Sequence, residues 1–345
     1  MANGIVRVGL VGAGGNTRLR HAPGLRAQDG VEIVSVANRS RESGERFAGE
    51  FEIPKVYDNW VDLINADDTD AICIGTWPYM HRTLTLAALE AGKHVLCEAR
   101  MATTAQEAQE MLDASRLRPD LIAQIVPSPL TFKIDRLLQG KIAEGYIGDI
   151  IGVSVQSLGN DFMVKRGPMH WRNDRDLSGY NILNMGIWYE AMIRWVGRAT
   201  KITAMTKVNV SSRKDESGQM VDVNIPDHVG IVAELANGAM ANMQFSAVTG
   251  LSSGNGVWIY GSEGTLHVDG AQNVYGGQRG DDKLSEITNP EEGRAVWRVE
   301  EEFCNAIRGQ EKITRTPFDV GVHYMEFTEA VTRSAQTGQT VALPL

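Results

Sequence analysis

The residues most suggestive of chemistry are Gly12-Ala13-Gly14-Gly15-Asn16-Thr17 and, 21 positions after Thr17, the trio Asn38-Arg39-Ser40. Gly12 permits a tight turn. Gly14 leaves the backbone bare, so that a pyrophosphate can reach the N–H groups of a helix starting near Gly15. The third glycine of the usual pattern is replaced by Thr17, so that helix must sit further from its strand, or the turn must differ. A position ~20 residues on normally reads the ribose. An acid there would accept from the 2′-hydroxyl of NAD, but Asn38 is neutral. Arg39 can meet a 2′-phosphate with charge-assisted hydrogen bonds and Ser40 adds a hydroxyl, which favours NADP, with NAD as the alternative. The competing reading makes Arg39 and Ser40 the solvated start of a helix at 41–52, with Ser40 as its N-cap.

These residues need a strand before each of them, and the sequence supplies one. Val6–Val11 and Glu32–Ala37 are short apolar runs of the kind buried on both faces of a parallel sheet. Helices are expected at 41–52 and 59–65, followed by a strand at Asp70–Gly75. Thr76-Trp77-Pro78 leads into a helix from His81 to Ala91, closed by Gly92. A strand at Lys93–Glu98, a helix at Thr104–Leu117 and a strand at Leu121–Val126 complete the alternation. Such alternation predicts a doubly wound α/β domain over 1–127, with the segments after Val11, Ala37, Gly75 and Cys97 gathered at the strand ends where ligands bind.

Past Pro127 the grammar changes. Helices are expected at 131–144 and 179–196. Strands follow at 201–210, 228–235, 239–247, 256–260 and 265–268, with Asn237-Gly238 as a hairpin turn. Ser211–Gln219 and Gly270–Lys283 read as mobile loops, and helices at 294–308 and 319–336 end the chain. This predicts a second, α+β domain over 128–345 with a mostly antiparallel sheet. The length of 345 residues suits two cores.

A net charge of −9 without a basic tract argues against nucleic acid or an anionic membrane as the main partner. No apolar run approaches the ~18 residues of a membrane span, and a cytoplasmic protein is expected. Cys73, Cys97 and Cys304 are widely spaced and read as reduced core residues rather than metal ligands, so no metal is expected.

The glycine turn, the strand end before Thr76 with His81, the run Ala91-Gly92-Lys93-His94-Val95-Leu96-Cys97-Glu98 and the turn Gly261-Ser262-Glu263-Gly264-Thr265-Leu266 together resemble the glucose-fructose oxidoreductase and inositol dehydrogenase (Gfo/Idh/MocA) family over nearly the whole chain. The resemblance implies a Rossmann domain followed by a substrate domain whose open sheet commonly joins subunits, hence a homodimer or homotetramer. It also implies reversible hydride transfer between a nicotinamide and a sugar or polyol carbinol.

The family usually carries Glu-Lys-Pro after the AGKHV strand, where this chain has Glu98-Ala99-Arg100. Its later Gly-Gly-Gly-x-Leu-x-Asp-x-Gly-x-His element corresponds here to 178–188, with Asn184 for the acid and Trp188 for the histidine. Neither alanine, asparagine nor tryptophan acts as a base near neutral pH. A general base is worth ~10²–10⁴-fold in rate, so an altered acid–base set is expected. His170, Tyr180 and Arg100 are the candidates. Each has a duller reading: a structural histidine, a lid over an apolar ligand, and a surface cation.

Arg172, in the element resembling the family's Trp-Arg, together with Asn184 and Trp188, is the expected substrate contact. Thr76 and Glu98 are expected around the nicotinamide, with the flat face of Trp77 on the nicotinamide or ribose, or else in packing, and with His81, at the helix start, as structural support for this cofactor site. The leading expectation is an NADP-preferring oxidoreductase on a polyhydroxylated small molecule. The rivals are a glycoside hydrolase or lyase that oxidises its substrate transiently with a permanently bound cofactor, and a non-catalytic nucleotide-binding protein.

Overall fold

A computed structural model describes residues 4–159, 161–164, 167–289 and 297–345. The chain forms two compact units, Met1–Pro127 with Trp297–Val322, and Ser128–Val296 with His323–Leu345.

The first unit holds six parallel strands: β1 (Val6–Val11), β2 (Val31–Ala37), β3 (Lys55–Tyr57), β4 (Ala71–Ile74), β5 (His94–Cys97) and β6 (Ala123–Ile125), in the order β3-β2-β1-β4-β5-β6. β4 is buried at every residue, as a central strand covered on both faces requires. Three helices have side-chain caps at the residues the sequence offers: Ser40 accepts from Ser43 N, Asn59 from Asp62 N and Thr104 from Glu107 N.

The expected division placed everything after 127 in the second domain, but Trp297–Val322 belongs to the first unit. The physical reason is apolar burial. Val299, Phe303, Cys304 and Ile307 on the helix Val299–Ile307 share one core with Val6, Val8, Leu10, Leu25 and Val36. Gln124 Nε2, buried on β6, also donates to Glu302 Oε2 at 2.9 Å. The helix expected at 294–308 is seen from Val299; 294–296 lie outside the described residues.

The second unit is built on β7 (Ile150–Leu158), β8 (Ala199–Lys207), β9 (Ser212–Lys214), β10 (Met220–Asp222), β11 (His228–Leu235), β12 (Met240–Ser246), β13 (Asn255–Gly261), β14 (Gly264–Val268), β15 (Val274–Gln278), β16 (Ser285–Glu286) and β17 (Val341–Ala342). Nine of these form one sheet, β16-β15-β14-β13-β7-β12-β11-β8-β17, antiparallel except for the β7–β12 pair. β9 and β10 form a separate hairpin. The Asn237-Gly238 turn joins β11 to β12 as expected, with Gly238 at φ +83°.

Four readings are corrected here. β7, in the middle of the sheet, is not among the strands expected from the sequence, because its residue polarity does not follow its burial: Ile151 is 61% exposed and Ser157 buried. Ser211–Gln219, read as a mobile loop, contains β9 and a turn whose Asp215 carboxylate accepts from the N–H groups of Ser217 and Gln219. Gly270–Lys283, read likewise, contains β15, whose Gly276 and Gly277 hid the strand in a glycine-rich run. The helix expected at 179–196 begins at Met185, because Gly179 turns the chain at φ +64° after the short helix Arg175–Ser178.

Inner residues such as Val155, Ile231, Ala233 and Phe245 are buried. On the other face Met205, Met240 and Val232 are exposed. Among the described residues no helix is long and apolar enough to cross a membrane.

Candidate functional site

In the first unit β1 lies between β2 and β4, so the chain leaves it in opposite directions on the two sides and opens a ligand position at the strand ends. Gly12 follows β1 at φ +81° and its N–H donates to Ala37 O at 2.9 Å. The turn after it fits a nucleotide phosphate: Gly14 and Gly15 are exposed, and a Cβ on Gly14 would meet nothing nearer than 3.9 Å. The helix starts at Gly15, but its turn Thr17–His21 is a π-helix.

That answers the missing third glycine. Thr17 is buried, with Oγ1 3.5 Å from Gly12 O, and a Cβ on Gly75 would stand 2.2 Å from that same Oγ1. The room usually left by a glycine on the helix is left here by Gly75, across from it at the end of β4.

Asn38, at the ribose-reading position, accepts from Ala13 N through Oδ1 at 2.7 Å and so braces the glycine turn. Arg39 and Ser40 are exposed beyond it; Ser40 caps the helix Arg41–Glu50, as the competing reading held. Thr76 follows β4, and its Oγ1 is buried without a hydrogen-bond partner among the described residues. An orphaned hydroxyl beside Gly12 is a further feature a bound cofactor would satisfy.

His81 is wholly buried, its ring nitrogens each 2.9 Å from Thr76 O and Arg100 O, so it ties together the segments after β4 and β5. Burial holds its pKa below the ordinary value, outweighing the two carbonyls. Trp77, 36% exposed, heads the helix Pro78–Glu90. Arg100 is only 7% exposed, which corrects its reading as a surface cation.

Glu98 follows β5. Its Oε1 accepts from His21 Nε2 at 2.8 Å and from the amide of Asn16, and its Oε2 accepts from Ala99 N at 3.1 Å. His21 Nδ1 reaches Glu300 Oε1 at 2.6 Å. Burial opposes the charge of both groups, yet their mutual hydrogen bonds prevail: the His21 pKa rises to about 9 and that of Glu98 falls. Sequence reasoning missed His21 and Glu300, which carry no local motif.

In the second unit, the helix Met185–Val196 carries Asn184 as its N-cap residue and Trp188 one turn on, so both lie along one side of the helix. Asn184 Nδ2 donates to Ser157 Oγ at 2.7 Å, and Ser157 donates to Asn255 Oδ1 at 3.0 Å. Trp188 is buried, and its indole N–H has no partner among the described residues. Tyr189 instead packs flat on Phe327, centroids 3.8 Å apart. Glu190 forms a helix ion pair with Arg194 at 2.9 Å, and it also accepts twice from Ser128 N at 3.0 and 3.1 Å.

His170 accepts from Arg172 N through Nδ1 at 3.2 Å, so its neutral ring carries the proton on Nε2 and acts as a donor there. Desolvation, then the charge of Arg172, lowers its pKa. Arg172 is exposed, its guanidinium 4.1 Å from the Trp171 ring centroid, and Arg175 lies 5.3 Å from that of Tyr180. Cys73, Cys97 and Cys304 are buried, and burial raises the pKa of each thiol.

Residues 6–123 match the profile of an oxidoreductase family with an NAD-binding Rossmann fold, and residues 136–267 match the GFO/IDH/MocA C-terminal domain. A trans-1,2-dihydrobenzene-1,2-diol dehydrogenase of Bos taurus is 28% identical over 76% of this chain and 72% of its own length. A 1,5-anhydro-D-fructose reductase of Ensifer adhaerens is 30% identical over 75% and 74%. Among solved structures, an oxidoreductase domain protein from Kribbella flavida superposes with a TM-score of 0.86 at 21% identity, covering 99% of this chain and 100% of that one. A levoglucosan dehydrogenase in complex with NADH and L-sorbose gives 0.86 at 20% identity, covering 98% and 99%. At that identity the two structures show the shared fold.

Proposed function

This chain belongs to the Gfo/Idh/MocA family of NAD(P)-dependent oxidoreductases, and from that premise we propose that it is an NADP-preferring enzyme moving hydride to or from a sugar-like, polyhydroxylated substrate with an altered acid–base set. The observation that carries the substrate class is the neutral pair on the helix Met185–Val196. Asn184 offers an amide and Trp188 a buried indole N–H without a partner among the described residues. Leaving such a donor unsatisfied costs about 1–3 kcal/mol, which a substrate hydroxyl, ether or carbonyl oxygen would recover. The named activities of the relatives, on an anhydroketose and a cyclic dihydrodiol, support the same class.

The bound nicotinamide supplies the hydride donor or acceptor. The first unit orients it, with Gly14 and the helix start at the phosphates, Thr76 and Trp77 beside the strand end, and Glu98 held ionised. In the second unit Asn184, Trp188 and Arg172 bind the substrate oxygens. Tyr180 and His170 would carry the proton, His170 donating from Nε2 to a substrate carbonyl oxygen in the direction of reduction. Arg100, always protonated, steadies an alkoxide but takes no proton. Mixing the full chain with NADP⁺ or NADPH and a panel of sugars, anhydrosugars, polyols and ketones should change the absorbance of the reduced nicotinamide. Silence across the panel would remove the proposal.

The NADP preference rests on the absence of an acid at Asn38 and on the exposed Arg39. Arg39→Ala is expected to weaken NADPH binding roughly 10–100-fold and NADH binding little. Equal losses would withdraw the preference. The exposed Met205, Met240 and Val232 on one sheet face support a homodimer or homotetramer through that sheet. A monomer's mass in sedimentation would count against it.

A further inference from the structure

The first unit contains a buried three-group clamp. His21 stands in the π-turn directly after the glycine turn, 0% exposed, with Nε2 2.8 Å from Glu98 Oε1 and Nδ1 2.6 Å from Glu300 Oε1. Both ring nitrogens face carboxylate oxygens, so both carry protons when the contacts are whole. Two carboxylates and one imidazolium leave a net charge of −1 in the interior.

The outer arm of this clamp is joined to the nucleotide turn. The amide of Asn16 donates to the same Glu98 oxygen that His21 holds. The inner arm is fixed from the far end of the chain: Glu300 Oε2 accepts from Trp297 Nε1 at 2.7 Å. Its carboxylate lies so close against the first helix that a Cβ on Gly24 would stand 2.6 Å from it. Glu300 is thus rigidly placed, at 2% side-chain exposure, whereas the Glu98 side chain keeps 13%.

We infer that Glu300 is a positioning residue for the nicotinamide nucleotide: through His21 it holds the Glu98 carboxylate and the Asn16 turn in place, so nucleotide affinity follows the protonation of His21. The inference rests on the proposal that this unit binds such a nucleotide. Its chemistry is the loss of one proton. The neutral ring can donate to only one carboxylate and turns a lone pair toward the other. The more exposed partner, Glu98, gives way, and the restraint on Asn16 goes with it.

The groups facing His21 come from three segments. Glu98 faces it from the end of β5 and Glu300 from the helix Val299–Ile307, while the neutral Asn16 lies on the turn. The neutral Trp297 ring is 6.3 Å away with Arg20 over that ring at 5.2 Å. The nearby thiols of Cys73, Cys97 and Cys304 are held protonated by burial. Burial alone would lower the His21 pKa; the bonds to Glu300 and Glu98 raise it to about 9.

The test is NADPH titration of the full chain, followed by nucleotide fluorescence across pH, for wild type, Glu300→Gln and Glu300→Asp. The glutamine keeps the shape and an acceptor for Nδ1–H but removes the charge that favours the imidazolium. Wild-type affinity should hold through neutral pH and fall as pH rises through about 9. In Glu300→Gln the falling limb should move down by about one pH unit or more, giving roughly a tenfold weaker complex between the two limbs. Glu300→Asp keeps the charge, so its limb should lie between the other two; it also serves as the readout if the glutamine variant does not fold.

Superimposable limbs overturn the inference, as does a loss equal at every pH, which marks Glu300 as structural. A wild type that binds no nicotinamide nucleotide at any pH removes the parent proposal as well, whereas binding with an unmoved limb removes this inference alone.

Discussion

Gly12→Ala is expected to abolish nucleotide binding, by 100-fold or more, and to destabilise the fold by several kcal/mol. Gly12 sits at φ +81°, where a side chain costs ~1–3 kcal/mol. The new Cβ would also stand 2.4 Å from Thr76 Cγ2, 2.8 Å from Thr76 N and 2.9 Å from Thr76 Cα. A methyl group can rotate aside, but the backbone of Thr76 is fixed by the neighbouring strand β4. Gly14→Ala makes the contrast, since its Cβ would have no neighbour nearer than 3.9 Å and would project into the space a pyrophosphate needs. Thermal melting with nucleotide titration separates them: Gly12→Ala should lose both stability and binding, Gly14→Ala binding alone. A Gly12→Ala chain that melts with wild type would refute the packing argument.

His21→Ala should lower stability by about 3–5 kcal/mol, because it leaves two buried carboxylates without the cation between them. At roughly 2–4 °C per kcal/mol this is a fall of ~10 °C in Tm at neutral pH. The sign with pH follows from the folded-state value. It is raised from 6.5 to about 9, so the stabilisation is complete below 6.5 and is lost as pH rises through about 9. The gap between wild type and variant should therefore narrow in that window. Melting curves at neutral and alkaline pH measure it, and a gap that widens with pH would show that the ring acts by packing rather than by charge.

What the sequence made legible follows burial on two faces. Val6–Val11, Ala71–Ile74 and His94–Cys97 are apolar because parallel strands are covered above and below, so a short window suffices to see them. Ile150–Leu158 has one face open and a buried serine, so its alternation was too weak to read although it is central to its sheet. The site divides in the same way. The glycine turn could be read from spacing, and the bare Gly14 fits that reading. Asn38 could be placed by counting, but its bond to Ala13 N belongs to the shape of the turn and no count predicts it. The exchange between Thr17 and Gly75 needed two strand ends brought side by side. His21 was invisible because its partners Glu98 and Glu300 lie 77 and 279 positions away, and neither pair leaves a periodic trace.

The return of Trp297–Val322 to the first unit has a consequence for the order in which the protein is made. When Pro127 leaves the ribosome, the core around Val6, Leu10 and Leu25 still lacks Val299, Phe303 and Ile307. At ~5–20 residues per second, Trp297 follows roughly ten to thirty seconds later. For that interval the nascent sheet carries an open apolar flank, an occasion for chaperone binding. Glu300 does not yet exist to close on His21. Chains broken off before that point are born without the clamp and should hold the nucleotide less tightly than chains that carry it.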